Sequence, residues 1–160
     1  MKLVALIAAG VVIVDQITKW IALDHLGTGV RIALVDGLLA LTLVMNPGLA
    51  FGLLGNMPTA SRWLVAALSL AALAVLARVA LRVLPTGSWL DVAAIGLIFG
   101  GAVGNLIDRA RYGAVVDFID VYYKSYHWPA FNAADSAITV GVTILALRLV
   151  THRATVSPPA

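Results

Sequence analysis

Two carboxylates stand in apolar sequence, where an unpaired charge is costly. Asp117 follows Ala114-Val115-Val116 and precedes Phe118-Ile119; Asp135 follows Phe131-Asn132-Ala133-Ala134 and opens an apolar run. A carboxylate in such a place must be paired, hydrated or used. Two carboxyls within about 3 Å of each other cannot both ionise easily, so they share one proton. One is then a base that activates water, and the other an acid that protonates a departing amine. That is peptide-bond hydrolysis without a metal or a covalent intermediate. The two residues lie 18 positions apart, so no single helix brings them together and the fold must do so.

The polar residues nearby fit supporting roles. Asn105, Asp108 and Arg109 fall at i, i+3 and i+4 on an apolar helix and share a face. Asn105, Arg109 and Asn132 are donors suited to holding substrate carbonyls and positioning carboxylates. Each also has a plainer reading. Asn132 with Asp135 three residues on resembles a capping box, worth about 1 kcal/mol to a helix start. Asp108 and Arg109 would also suit a solvated helix end. Asp15 and Lys19, at i and i+4, read as an ion pair gluing helices, because a lone Asp at mid-membrane costs roughly 2.5–3.5 kcal/mol. Asn46-Pro47-Gly48 reads as a turn, and Gly96, Gly100 and Gly104 as a stripe for close helix packing. His25, His127 and His152 have no ligand spacing, so no metal or cofactor is expected. Ser136 with Lys19 or Lys124 is the one conceivable Ser/Lys dyad, and no GxSG-type elbow supports it.

The elements that must position these residues are helices in a bilayer. The chain of 160 residues is 61% hydrophobic and 12% charged, with a mean hydropathy of +0.98; a soluble domain carries about 25% charged residues. Cysteine is absent, which excludes disulfides and thiolate chemistry; glutamate is absent too, which excludes the HExxH zinc helix. The net charge of +3 is not gathered into a basic run, so no nucleic-acid surface is read.

Four apolar runs, 3–23, 63–84, 89–107 and 133–150, are long enough to cross about 30 Å of hydrocarbon. The expected fold is an all-α membrane protein with four transmembrane helices and a small extracytoplasmic β-sheet, a cradle, between helices 1 and 2. The first run carries Asp15 and Lys19 and lacks a clean cleavage site, so it reads as a retained span. Segment 24–62 alternates and carries turn signals, and is assigned the whole sheet. Residues 85–88 are a tight turn, 108–132 a long mixed connection, and 152–160 a disordered tail. Trp20, Trp63, Trp89 and Trp128 fall near predicted ends, as in an aromatic belt. Residues 46–54 combine a turn with glycines and apolar side chains and are expected to form a lid. The Lys/Arg count ties between the two sides. The termini are placed inside because Lys2, Arg148 and Arg153 have no acidic neighbour and Asp91 is the only acid on that face.

Five stretches in order carry a family resemblance. They are Asp15-Gln16-Ile17-Thr18-Lys19; Asn46-Pro47-Gly48-Leu49-Ala50-Phe51-Gly52; the run from Gly100 to Arg109; Val115-Val116-Asp117-Phe118; and Phe131-Asn132-Ala133-Ala134-Asp135-Ser136. Together they resemble the lipoprotein signal peptidase (signal peptidase II) family, aspartyl proteases of the bacterial inner membrane. The resemblance implies a multi-pass protein with both termini cytoplasmic and the active site towards the extracytoplasmic face. It implies removal of the signal peptide from a prolipoprotein just before a diacylglyceryl-Cys, with Asp117 and Asp135 catalytic. Asp15, Lys19, Asn46, Gly48, Asn105, Asp108, Arg109 and Asn132 take positions of support and substrate contact. The partners implied are the prolipoprotein, membrane lipids and the family's peptide antibiotic inhibitors, with no nucleic acid, and the chain is expected to act as a monomer. The rivals on composition are a small proton-coupled transporter, since intramembrane Asp residues also mark ion paths, and a non-catalytic lipid-binding subunit.

Overall fold

The computed structural model describes residues 1–27, 29–48, 61–85 and 87–154. The elements run α1 (Lys2–His25), β1 (Arg31–Val35), β2 (Leu39–Asn46), α2 (Ser61–Val83), α3 (Trp89–Tyr112), β3 (Val115–Tyr123), β4 (Tyr126–His127) and α4 (Ala133–Ala154). The four helices have 24, 23, 24 and 22 residues, and at about 1.5 Å per residue each is as long as a bilayer core is thick. α1 and α3 are also apolar enough along their length to cross one. Large apolar side chains such as Leu6, Ile13, Leu70, Leu81 and Val150 point outwards, as they do where lipid is the solvent.

α3 is the central helix and packs against α1, α2 and α4. In lipid, helix association depends on close packing rather than on escape from water, and glycine allows it here. A Cβ at Gly100 would stand 2.7 Å from the Ala8 carbonyl oxygen of α1, and one at Gly104 would fall on the Asp15 carboxylate. At one end of the bundle Val4, Ala80 and Ile95 form a core with Phe99 and Leu145, so all four helices meet there. Arg148 of α4 is not the unpaired cation the sequence implies. It donates to Asp91 of α3 through Nε at 3.1 Å and Nη2 at 2.9 Å, while Asp91 also accepts the Ser88 N–H at 2.7 Å.

At the other end Phe118 of β3 packs on Ala22 and Leu26, joined by Leu41, Leu43 and Ile119. This seats the sheet on the C-terminal end of α1. The sheet is antiparallel with order β1-β2-β3-β4. This corrects the sequence expectation, which confined the sheet to 24–62. Half its strands come from the connection between α3 and α4, with Asn46 opposite Val115 and Leu39 opposite Val121. The physical reason is the open edge of β2: a lone β1–β2 hairpin leaves a row of unpaired backbone groups, and β3, rich in valine, isoleucine and aromatics, satisfies them. α4 begins at Ala133 and reaches Ala154, so the first residues of the expected tail are helical; 155–160 lie outside the described residues. So do 49–54, most of the expected lid.

Candidate active site

β3 leaves α3 through Gly113, which adopts φ 69 and returns its N–H to the Arg109 carbonyl, the usual left-handed end of a helix. The chain runs out along β3, turns, and is laced back by mutual hydrogen bonds between Ile119 and Phe131 at 2.9 and 3.1 Å. The next residue, Asn132, therefore arrives beside Asp117. Its Nδ2 donates to Asp117 Oδ1 at 2.7 Å, and its Oδ1 accepts the backbone N–H of Asp135 at 2.9 Å. Asn132 is thus the cap of α4, but only half of the capping box forms. The Asp135 carboxylate does not turn back to Asn132; its Oδ1 accepts from Asn105 Nδ2 of α3 at 2.8 Å.

A third amide completes the frame. Asn46, the last residue of β2, donates from Nδ2 to Asp117 Oδ2 at 3.0 Å, and its Oδ1 accepts the Gly48 N–H at 3.0 Å. Both oxygens of Asp117 are thus held, and the side chain is 1% exposed; Asp135 is half-buried. Burial pushes the Asp117 carboxyl up to about 7, the neighbouring Asp135 adds to the rise, and the hydrogen bonds from Asn46 and Asn132 and the charge of Lys19 oppose it. Arg109 reaches across from α3: Nη2 donates to the Gly48 carbonyl at 3.0 Å and Nη1 to the Asn105 carbonyl at 3.3 Å. Its Nε is buried without a partner among the described residues.

Beneath the pair lies a buried charge network. Lys19 Nζ stands 2.9 Å from Asp15 Oδ2 and 2.7 Å from Asp108 Oδ2, and donates to Asn105 Oδ1 at 2.9 Å. Asn105 also accepts from Asn132 at 3.2 Å, so its carbonyl is fully used and its NH2 must face Asp135. The two acids each grip a backbone N–H as well. Asp15 Oδ1 accepts from Ala134 at 3.0 Å, and Asp108 Oδ2 from Val116 at 3.1 Å. Those are the residues immediately before Asp135 and Asp117. The Asp15–Lys19 pair is therefore one arm of a three-residue clamp. Gln16, not singled out from the sequence, joins it by donating to Asp108 Oδ1 at 3.0 Å and to the Gly104 carbonyl at 3.3 Å. The signal for it was there: Gln16 lies one residue from Asp15 in an apolar run.

The structure brings Asp15, Lys19, Asn46, Gly48, Asn105, Asp108, Arg109, Asp117, Asn132 and Asp135 into one connected site. It leaves the Ser/Lys alternative without geometry, since the Ser136 hydroxyl donates to the Asn132 carbonyl at 2.9 Å and Lys19 is held by two acids. In the sheet, His127 Nδ1 lies 2.9 Å from Asp120 Oδ1, and Arg31 Nη2 lies 2.9 Å from Asp120 Oδ2.

Two carboxyls framed by amides, one buried on β3 and one in the first turn of α4, form the kind of arrangement an aspartic peptidase of the membrane would use. The family described as signal peptidase (SPase) II matches residues 7–151. The lipoprotein signal peptidase of Geobacter sulfurreducens is 44% identical over 144 residues, covering 90% of this chain and 89% of that one. That of Geobacter metallireducens is 42% identical over 149 residues, 93% of this chain and 91% of the relative. A bacterial membrane enzyme solved by the in meso method at 2.3 Å superposes with a TM-score of 0.79 at 31% identity, over 100% of this chain and 94% of its own. The chain belongs to the signal peptidase II family.

Proposed function

We propose that Asp117 and Asp135 are the catalytic pair of this peptidase and act as one acid–base unit. Signal-peptide removal from prolipoproteins is the activity of the family and of this chain. The carrying observation is that Asn132 links the two residues, donating from Nδ2 to the Asp117 carboxylate and accepting the backbone N–H of Asp135, whose carboxylate is held by Asn105. In the free enzyme Asp117, the drier of the two, holds the shared proton. Asp135 takes a proton from water, and the hydroxide adds to the scissile carbonyl carbon. Asp117 gives its proton to the departing nitrogen as the C–N bond breaks. The products are a signal peptide with a new C-terminal carboxylate and a lipoprotein whose Cys carries a free amine. The buried N–H of Arg109 Nε, unpartnered among the described residues, is a donor for a substrate carbonyl.

The substrate cysteine carries a diacylglyceryl group, which stays in the bilayer while the cleavage site reaches the pair. All four helices cross the membrane, with both termini cytoplasmic and the sheet outside. The test is incubation of the purified protein with a diacylated lipobox peptide, read by mass. Cleavage on the N-terminal side of the Cys is expected. Ion uptake into vesicles with no cleavage would replace the peptidase reading with the transporter.

A further inference from the structure

The loop between the two catalytic aspartates ends in an exposed aromatic tip. Asp117 lies on the outgoing leg, β3, and Asp135 follows the returning leg, which is bonded to β3 through Trp128 N–H to the Val121 carbonyl at 2.8 Å and through the Ile119–Phe131 pair. The apex is a two-residue turn, Lys124-Ser125, closed by Tyr123 opposite Tyr126. Lys124 takes φ 55, a left-handed conformation that glycine or asparagine adopts more readily. Around it Tyr123 is 66% exposed, Tyr126 79% and Trp128 58%. Lys124 Nζ sits 5.4 Å from the centre of the Tyr123 ring.

This is the chemistry of a bilayer interface. Tyr and Trp place an apolar ring and a polar tip at headgroup level, and lysine reaches phosphate from there. The root of the hairpin lies at the end of the bundle. Phe118, midway along β3, packs on Ala22 and Leu26, close to the exposed Trp20 of α1, and Tyr112 is exposed at the matching end of α3. We propose that the β3–β4 hairpin is an interfacial anchor: its tip inserts among the lipid headgroups of the adjoining leaflet. β3 is one unbroken strand from Asp117 to Tyr123, about 20 Å at roughly 3.3 Å per residue. The anchor therefore sets the depth of both catalytic legs relative to the lipid that carries the substrate.

The chain has no cysteine, so Ser125→Cys gives a single spin-label site at the apex. Val140→Cys on α4, 51% exposed, gives a reference in the hydrocarbon. In nanodiscs of phosphatidylethanolamine and phosphatidylglycerol, the apex label should show oxygen accessibility between that of the Val140 label and that of free label in water. It should also be relaxed by lipids carrying a headgroup relaxant. Adding Tyr126→Ser and Trp128→Ser should shift the label into water and lower cleavage of a diacylated lipobox peptide several-fold in the same discs. Should those changes impair folding, the depth of the Ser125→Cys label alone decides. A fully aqueous apex overturns the proposal. So does an apex shielded only after a peptide extending beyond the Cys is added, which assigns the hairpin to the substrate chain instead. Cleavage would persist in either case if the aspartate pair is catalytic, so the two readings fail separately.

Discussion

Lys19 and Asp108 meet at 2.7 Å, both buried, and their contact reaches the backbone beside Asp117 and Asp135. Lys19 also holds Asp15, and the two acids hold the N–H groups of Val116 and Ala134. The clamp thus fixes the backbone one residue before Asp117 and one before Asp135.

Lys19→Met leaves two carboxylates buried side by side. Removing one partner of a buried ion pair costs about 3–5 kcal/mol, so thermal unfolding in detergent should show a large loss of stability. Adding Asp15→Asn removes one of the stranded charges and should restore part of it. If Lys19→Met unfolds like the wild type, the clamp does not carry that energy.

Glycine positions on the helix faces should differ sharply in tolerance. Gly104→Ala places a methyl on the Asp15 carboxylate, whereas a Cβ at Gly10 of α1 meets nothing within 4 Å. Overpacking of this kind costs about 1–3 kcal/mol. Gly104→Ala should therefore lose stability and most peptide cleavage, while Gly10→Ala keeps both. Equal behaviour of the two variants in a melting and cleavage assay would contradict the close approach of α1 and α3.

Much of this was legible locally. Asp117 and Asp135 stand out because charge in apolar sequence has few uses, and the i, i+3, i+4 spacing of Asn105, Asp108 and Arg109 needs only helical geometry. What was not legible is whatever depends on partners distant in the chain. β2 pairs with β3 across some seventy positions, so the sheet looked complete within 24–62. The partners of Asp120 were not legible, because Arg31 lies on β1, 89 positions away. Arg148 looked unpaired because Asp91 is 57 residues away. The apolar runs also understate the helices: α3 continues past Ile107 to Tyr112, with Asp108 and Arg109 turned into the site while Arg111 and Tyr112 stay exposed.

The pH dependence should follow Asp117. Its carboxyl titrates near 7, and the pair loses its shared proton as pH rises through that value, so cleavage should fall on an alkaline limb near 7. The Asn46 hydrogen bond favours the ionised form. Asn46→Ala removes it, raises the carboxyl further and should move the limb to higher pH. A kcat/KM profile whose alkaline limb stays put or moves down would contradict the role of Asn46.

Asp120 is the control for the acid pair. It is buried but faces Arg31 and His127 in the sheet, away from the amide frame. Asp120→Asn weakens a partly exposed ion pair with Arg31, worth about 1 kcal/mol or less, and a hydrogen bond with His127, so a modest fall in melting temperature with most turnover kept is expected. Loss of turnover in a folded Asp120→Asn variant would extend the catalytic machinery into the sheet.

The pair itself is tested by turnover of a diacylated lipobox peptide by wild type, Asp117→Asn, Asp135→Asn and the double variant, each first shown to be folded. Asparagine keeps the shape and removes the shared proton. Residues that act as one unit are not additive, so each single change should abolish cleavage and the double should be little worse than either. Near-normal turnover by folded Asp117→Asn or Asp135→Asn would contradict the account at its centre.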